Sequence, residues 1–289
     1  MKFFLISIFI STCLLNAMSQ DDTLPIFSQE EQRVGDTNIP DMDFRGSIYK
    51  THKVWTPVTV AVGTVLNYSG LATLAKEEVT LEELNSITSS QVIGIDRAAL
   101  RQAVDQRFDA GSVSDVIASI ALLSPILLNL DAKIRKDWLE VSLISLEGIL
   151  LGANFFAWGP TRFVDRLRPI VYYDELDFEE RAYKFNRNSF FSGHVAWAAS
   201  AAYTSATIYA DYHPQVNKWL IYGLASLPPA AVGYYRYRAL KHYPSDIIAG
   251  HLVGLAAGIF VPRWHRKGNQ NLTVAISGGG IGLRYRQSL

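Results

Sequence analysis

Cysteine is nearly absent from this sequence of 289 residues, which has a single one, Cys13, in an apolar stretch near the N-terminus. One thiol forms no internal disulfide, and the rest of the chain has no cysteine for a metal site. A net charge is lacking too, because 27 basic residues balance 27 acidic ones. Nucleic-acid binding requires a basic surface. We therefore expect no disulfide framework and no nucleic-acid partner.

Charge is scarce as well: 19% of the residues are charged, against 49% that are hydrophobic. Strongly apolar segments, rich in Ala, Leu and Ile, lie roughly at 115–131, 137–158, 194–210, 216–235 and 246–262. They are long and do not alternate with polar residues, which favours helices over strands. The sequence therefore predicts an all-α fold, a bundle of about six core helices with a short accessory tail.

The rest of the chain divides into three further parts. Residues 1–19 have the pattern of a secretory signal peptide: Lys2, an apolar run and small residues at 17–19. An uncleaved membrane anchor is the alternative. Residues 20–112 form a lead-in with accessory helices, and 113–267 form the helical-bundle domain. Residues 268–289 resemble a β-hairpin around a Ser-Gly-Gly-Gly turn.

Two basic clusters bear on membrane insertion. The first cluster, between two apolar segments, consists of Lys133, Arg135 and Lys136. The second, after the last apolar segment, consists of Arg263, Arg266 and Lys267. If the five apolar segments from residue 115 onward all span the membrane, both clusters lie on the same side of it. The positive-inside rule makes that side cytoplasmic. We predict an exported, membrane-integrated protein of the cell envelope, with its active site facing the periplasm and segment 55–75 outside the membrane. A soluble bundle is the alternative, because some segments are short for a span.

Three short motifs lie at the ends of predicted helices: DRLRP at 165–169, SFFSGH at 189–194 and RYRALKHYPSD at 236–246. Antiparallel packing of the helices places these ends at one end of the bundle. Arg168, before Pro169, can grip phosphate oxygens. Ser192 and Gly193 begin a helix whose free amides form an anion site. His242 lies four residues before Asp246, whose carboxylate can reach back and fix the imidazole tautomer.

Together the motifs resemble the signature of the type 2 phosphatidic acid phosphatase and vanadium haloperoxidase superfamily. That signature is Lys, six residues, Arg-Pro; then Pro-Ser-Gly-His; then Ser-Arg, five residues, His, three residues, Asp. The matching residues are Arg168-Pro169, Ser192-Gly193-His194, Arg236, His242 and Asp246. The resemblance covers roughly residues 115–262. Thr161 holds the position of the family lysine, with Arg162 beside it, and Phe191 and Tyr235 replace the usual proline and serine.

The resemblance implies a metal-independent phosphatase without a cofactor. His242 would attack phosphorus and Asp246 would orient it, while His194 would protonate the leaving oxygen. The phosphate oxygens would be held by Arg168, Arg236, Ser192 and Gly193, with Thr161 and Arg162 at the lysine position. The substrate would be a phosphorylated lipid, as a monoester or diphosphate, or a small phosphomonoester.

Two other functions fit the same residues. A vanadium-dependent haloperoxidase would use the phosphate pocket for vanadate. A non-catalytic relative would bind a lipid or an anion without turnover, and the threonine at position 161 is the feature that favours it.

Overall fold

A computed structural model describes residues 47–74, 77–92 and 94–267, and the backbone of two strands beyond them. The predicted signal peptide, residues 1–19, and the lead-in up to residue 46 lie outside the described residues. The described body is predominantly helical, so the prediction of an all-α fold is confirmed.

The helices range from single turns to more than five turns. They are α1 (Trp55–Ala72), α2 (Leu81–Ser86), α3 (Arg107–Leu122), α4 (Ser124–Leu127), α5 (Trp138–Trp158), α6 (Pro160–Phe163), α7 (Phe178–Ala182), α8 (Gly193–Tyr212), α9 (Lys218–Ala225), α10 (Leu227–Arg238) and α11 (Pro244–His265). Short 3₁₀ segments join them, at Ser89–Gln91, Gly94–Arg101, Leu128–Leu130, Ile134–Asp137, Pro169–Tyr172 and Lys184–Arg187.

Helix α8 is the central element, and it packs against α3, α5, α10 and α11. Its sequence is rich in alanine, and most of its residues are buried. Small side chains allow neighbouring helix backbones to approach closely, as they do in membrane bundles. The composition that predicted this helix therefore also explains its place in the core.

Glycines on α11 set its distance from α8. A Cβ at Gly250 would lie 2.5 Å from the carbonyl oxygen of Ser192, and one at Gly254 would lie 2.4 Å from that of Ala196. No larger residue fits at such distances. The two helices consequently run side by side in parallel, and their first turns, which carry the second and third motifs, lie next to each other.

The bundle has a far end, opposite the motifs, where the basic clusters lie. Tyr49 forms a β-bridge with Arg266, and Tyr212 donates a hydrogen bond to Asp137. Helix α1 begins at this end and lies along α5 until Gly70, which packs on Trp158. Helix α1 thus connects the far end with the motif end.

Three helical stretches are long and apolar enough to cross a membrane: Arg107–Leu130, Ile134–Phe163 and Pro244–His265. In the most apolar 18 residues of each stretch, the share that is buried inside the protein is 28%, 50% and 33%, respectively. Much of this apolar surface therefore faces outward. Helix α1 does not meet the same criterion, yet Trp55, Val62 and Val65 are more than half exposed on it.

The C-terminal tail contains the hairpin that the sequence predicts. Strands β1 (Leu272–Ser277) and β2 (Gly280–Tyr285) pair antiparallel, with Leu272 opposite Tyr285 and Ser277 opposite Gly280.

Candidate active site

Backbone hydrogen bonds join the three motifs. The amide of Arg168 donates to the carbonyl of Asn186 over 2.7 Å, which ties the first motif to the approach of the second. The amide of Ser192 donates to the carbonyl of Asp246 over 3.0 Å, and that of Ile170 to Leu240 over 3.1 Å. The second and third motifs are thus bonded directly to each other, residues that flank the motifs supply the other two bonds, and the structure brings all three motifs together at one end of the bundle.

His242 is almost fully buried, and its Nδ1 lies 2.7 Å from the backbone carbonyl oxygen of Ser189. A carbonyl oxygen only accepts, so Nδ1 carries the proton and Nε2 carries the free lone pair. Burial, together with the smaller effect of the charges of Arg168 and Arg236, lowers the pKa of His242 to about 3, although Asp246 opposes the lowering. The imidazole is therefore neutral near neutral pH, which is the state a nucleophile requires.

Asp246 is fully buried but does not bond the imidazole directly. Its Oδ2 lies 3.8 Å from Nδ1 of His242, beyond hydrogen-bond distance. The same oxygen accepts from the Ser189 hydroxyl at 2.6 Å and from the Tyr243 amide at 2.9 Å. The prediction that this carboxylate fixes the tautomer is therefore wrong in detail: the Ser189 carbonyl does so, and Asp246 holds Ser189.

Unpaired donors surround the histidines. Within the described residues, Nε of Arg168, Nε of Arg236 and the hydroxyl of Ser192 are buried and have no hydrogen-bond partner. Buried polar groups are almost always paired, so such a group of donors is typical of a site for an absent anion. Burial lowers the pKa of Arg168 to about 9, and the neighbouring Arg236 contributes to the lowering. The arginines repel each other unless an anion lies between them.

Ser192 and Gly193 differ from their predicted roles in detail. The Ser192 side chain caps no amide of α8, although the residue does begin the helix. A Cβ at Gly193 would lie 3.0 Å from the ring of Phe156, so packing against that ring explains the glycine. The Ser192 hydroxyl is therefore available to form a hydrogen bond with a ligand.

His194 lies in the first turn of α8 beside an acidic residue that the sequence did not single out. Its Nε2 is 3.2 Å from Oδ1 of Asp115, on α3. The same oxygen lies 3.2 Å from Nη1 of Arg236. Asp115 therefore places a carboxylate between the predicted general acid and a predicted phosphate-binding arginine. Its position within an apolar segment was the only signal in the sequence.

The two residues at the family lysine position do not supply a cation to this cluster. Thr161 is fully buried, and its hydroxyl has no partner among the described residues. Arg162 points to the end of α1, where its guanidinium donates to the carbonyl of Gly70 at 2.8 Å and the hydroxyl of Thr73 at 2.7 Å. It also lies 4.2 Å above the ring of Trp158. Arg162 thus holds α1 and α5 together.

Lys241 is a cation that the sequence analysis missed. It immediately precedes His242, and its backbone amide donates to the carbonyl of Arg236 at 3.1 Å. Burial, together with the smaller effect of the charges of Arg168 and Arg236, lowers the pKa of Lys241 to about 8. Three cations therefore lie close together. Its place inside the third motif was the available signal.

The preceding turn is unusual. Leu240 is fully buried and has a φ of 58°, in the left-handed region that only a few per cent of non-glycine residues occupy. The turn ends α10 and leads directly into Lys241 and His242. Backbone strain of this kind is concentrated at functional sites.

The comparison with protein families matches residues 138–270 to the PAP2 superfamily. This part of the chain belongs to that superfamily. The matched residues include Arg168, His194, Arg236, His242 and Asp246. The members of the superfamily are mostly phosphatases. Neither the comparison with curated proteins nor that with solved structures gives a match. Asp115 on α3 and the segment Gly94–Arg101 precede the matched residues of the PAP2 domain.

Proposed function

We propose that this PAP2-superfamily chain is a phosphatase that cleaves phosphate monoesters through a phosphohistidine on His242. One observation carries the proposal. The neutral imidazole of His242 is held at Nδ1 by the carbonyl of Ser189. It lies where the three motifs meet, and those motifs contribute buried donors of Arg168, Arg236 and Ser192 that have no partner among the described residues.

The reaction needs two transfers of the phosphoryl group. In the first, the lone pair on Nε2 of His242 attacks phosphorus, the bond to the leaving oxygen breaks, and His194, in the protonated form that its partner Asp115 stabilises, gives that oxygen a proton. In the second, His194 takes a proton from water, the water oxygen attacks phosphorus, and the phosphorus–nitrogen bond breaks. Inorganic phosphate leaves, and both histidines return to their starting state.

The cations act on the charge of the phosphoryl group. Arg168, Arg236 and Lys241 together replace the water that would stabilise the equatorial oxygens, and preorganised donors of this kind act mainly on the transition state. We propose that Lys241 takes the place of the lysine that the family has at position 161. No divalent metal enters this scheme, and among the described residues no group of three or more His, Cys, Asp or Glu side chains is placed to hold one.

The apolar surface at the motif end supports a lipid phosphate as the substrate. Phe163 is 82% exposed, and Trp158 and Val164 are also exposed. These residues lie a few positions before Arg166 and Arg168 in the first motif. An acyl chain on this surface would bring its phosphate to the cations.

We further propose that the bundle lies in a membrane with the site on the outer face. The candidate spans, with their outward apolar faces, support insertion. The basic clusters mark the far end as cytoplasmic. The start of α1, beside Arg266, then lies inside as well. A cleaved export signal at 1–19 would instead place the start of α1 outside. The basic clusters and the predicted signal peptide therefore predict opposite topologies.

A phosphate-release panel tests the function. Purified protein is given a lipid phosphate monoester, a lipid diphosphate and a water-soluble phosphomonoester, each with and without a chelator, beside a halide-oxidation assay with vanadate. We expect phosphate release that survives the chelator and is faster on the lipids. Halide oxidation without phosphate release would instead indicate a haloperoxidase, and substrate binding without either activity a non-catalytic relative.

A matched histidine provides the control. His213 lies at the far end with its Nε2 2.9 Å from Asp131, so it too is a histidine beside an aspartate, although its side chain is only partly buried. His242→Ala should abolish release, whereas His213→Ala should retain it. Equal losses in both variants would contradict the assignment of His242.

A further inference from the structure

Arg166, two residues before Arg168 in the first motif, contacts two carboxylates at once. Its Nη1 donates to Oδ1 of Asp246 and to the hydroxyl of Ser245, the latter at 2.8 Å. Its Nη2 donates to Oδ2 of Asp96 at 2.6 Å. The guanidinium also lies 4.4 Å above the ring of Tyr243. Arg166 is therefore held on several sides.

Asp96 completes this arrangement from outside the PAP2 domain. It accepts from the amide of Ser245 at 3.0 Å and from its hydroxyl at 2.7 Å. Asp96 thus binds both Arg166 and the first turn of α11, three residues after His242. A single acidic side chain in the accessory region connects two motifs.

The segment that carries Asp96, Gly94–Arg101, is itself fastened to the bundle by tyrosines. The hydroxyl of Tyr173 donates to the carbonyl of Ala99 at 2.9 Å and accepts from the amide of Gln102 at 2.8 Å. The hydroxyl of Tyr237 donates to the carbonyl of Ala98 at 2.9 Å. These bonds fix the backbone around Asp96, so its carboxylate has a defined position.

The contacts continue from Arg166 to the nucleophile through Ser189. The amide of Ser189 donates to the carbonyl of Arg166 at 3.0 Å, and its hydroxyl donates to Asp246 at 2.6 Å. Its carbonyl accepts from Nδ1 of His242 at 2.7 Å. Ser189 therefore has its amide bound to Arg166 and its side chain bound to Asp246, the partner of Arg166.

We propose that Arg166 and Asp96 are positioning residues that aim His242, by holding Asp246 and Ser189 in place, so that the accessory segment is part of the catalytic apparatus. The inference rests on the proposed function of His242. Arg166 neutralises Asp246, which is fully buried and would otherwise be an unpaired charge. A nucleophile must be held within a fraction of an ångström of its productive position, and its supporting residues determine that precision.

Substitution of Asp96 tests the proposal, with Asp211→Asn as the control. Both aspartates have side chains that are 12% exposed, and both pair with an arginine, Asp211 with Arg266 at the far end. The assays are kcat and KM for phosphate release, the dissociation constant of orthovanadate, and the melting temperature. In Asp96→Asn we expect kcat to fall about 10- to 100-fold, as is typical when an outer partner of a functional residue is removed. The vanadate affinity should change less than about threefold, because Arg168 and Arg236 still bind the anion.

Arg166→Lys should lose kcat in the same way, because an ammonium cannot bridge two carboxylates as a planar guanidinium does. Asp96→Glu, which keeps the charge, should have a kcat between those of Asp96→Asn and the wild-type protein. If Asp96→Asn does not fold, Asp96→Glu takes its place, and a kcat below that of the wild-type protein with unchanged vanadate affinity is expected. An unchanged kcat in Asp96→Asn, a loss of vanadate binding equal to the loss of kcat, or an equal effect in Asp211→Asn would overturn the proposal. A failure of the proposed function itself is distinguishable, because the wild-type protein would then release no phosphate.

Discussion

The proton on the His242 imidazole is held by a backbone group: Nδ1 lies 2.7 Å from the carbonyl oxygen of Ser189. A backbone carbonyl cannot change its protonation state, so wherever the imidazole is neutral, above its pKa of about 3, the tautomer with a free Nε2 is selected. Asp246 acts one step further away, through the Ser189 hydroxyl.

This geometry predicts that Asp246→Asn keeps part of its activity. In a triad whose carboxylate bonds the histidine directly, the same change costs about 10⁴ in kcat because the tautomer is lost. Here the Ser189 carbonyl still selects the tautomer, so we expect a loss of roughly 10- to 100-fold, similar to that for an outer partner. Steady-state kinetics of Asp246→Asn and His242→Ala on one substrate provide the comparison, and equally complete losses would contradict it.

The pH profile should depend on Lys241 on its alkaline side. With a pKa of about 8, Lys241 is a cation below that pH and loses its charge above it, so the affinity for the substrate phosphate, measured as 1/KM, should fall as the pH rises through about 8. His242, with a pKa of about 3, stays neutral across this range. The acid side should instead follow the substrate phosphate, whose second pKa is about 6.

Lys241→Arg is the decisive variant for this profile. The guanidinium keeps its charge to a higher pH, so the alkaline fall should move upward by more than about one pH unit. Lys241→Met should raise KM at neutral pH. An alkaline fall that stays near 8 in Lys241→Arg would show that another group titrates there.

Asp115 should compete with the substrate phosphate. Its carboxylate lies 3.2 Å from both His194 and Arg236, where an anion would bind, and its side chain is 48% exposed. Asp115→Asn removes this charge, so orthovanadate should bind more tightly, by roughly three- to tenfold for a partly exposed charge. We expect kcat to fall at the same time, because His194 loses its acidic partner. Weaker vanadate binding in the variant would show that Asp115 supports the anion site instead.

The topology is testable with two single cysteines. Glu175 is exposed at the motif end and Ala132 at the far end, and Cys13, the one native cysteine, is first replaced by serine. In intact spheroplasts a membrane-impermeant thiol reagent should label Glu175→Cys and leave Ala132→Cys unlabelled until lysis. The reverse pattern would place the site inside, as a cleaved signal followed by a spanning α1 requires. Labelling of both would indicate a soluble bundle outside the inner membrane.

The sequence predicted the helices and motifs well because both depend on local patterns. The long apolar segments form helices, although the segment predicted at 216–235 is divided at Ser226 into α9 and α10. Arg168, His194, Arg236 and His242 follow the spacings of the family signature. The partners of those residues depend on tertiary packing. Asp96 and Asp115 lie many residues before the motifs, and no spacing in the sequence connects them with Arg166 and His194.

The departures from the family pattern show the same limit. Arg162 lies one residue from the lysine position, but the short helix α6 turns its side chain toward Gly70 and Thr73, where it binds the end of α1. Lys241 lies far away in sequence, directly after the left-handed residue Leu240, yet the charges of Arg168 and Arg236 act on it. The proposed exchange of cations between these distant positions therefore depends on tertiary structure, which the spacing of the motifs does not show.

The phosphorylated intermediate is the central claim, and a rapid-quench experiment tests it most directly. Wild-type protein, His242→Ala and His213→Ala are mixed with a substrate labelled in its phosphate, quenched in alkali within one turnover, and analysed by peptide mass spectrometry. A phosphohistidine has a phosphorus–nitrogen bond, which is stable in alkali and labile in acid. We expect an alkali-stable phosphate on His242 in the wild-type protein and in His213→Ala, and none in His242→Ala. Turnover without any phosphate on His242, or with the label on another residue, would contradict it.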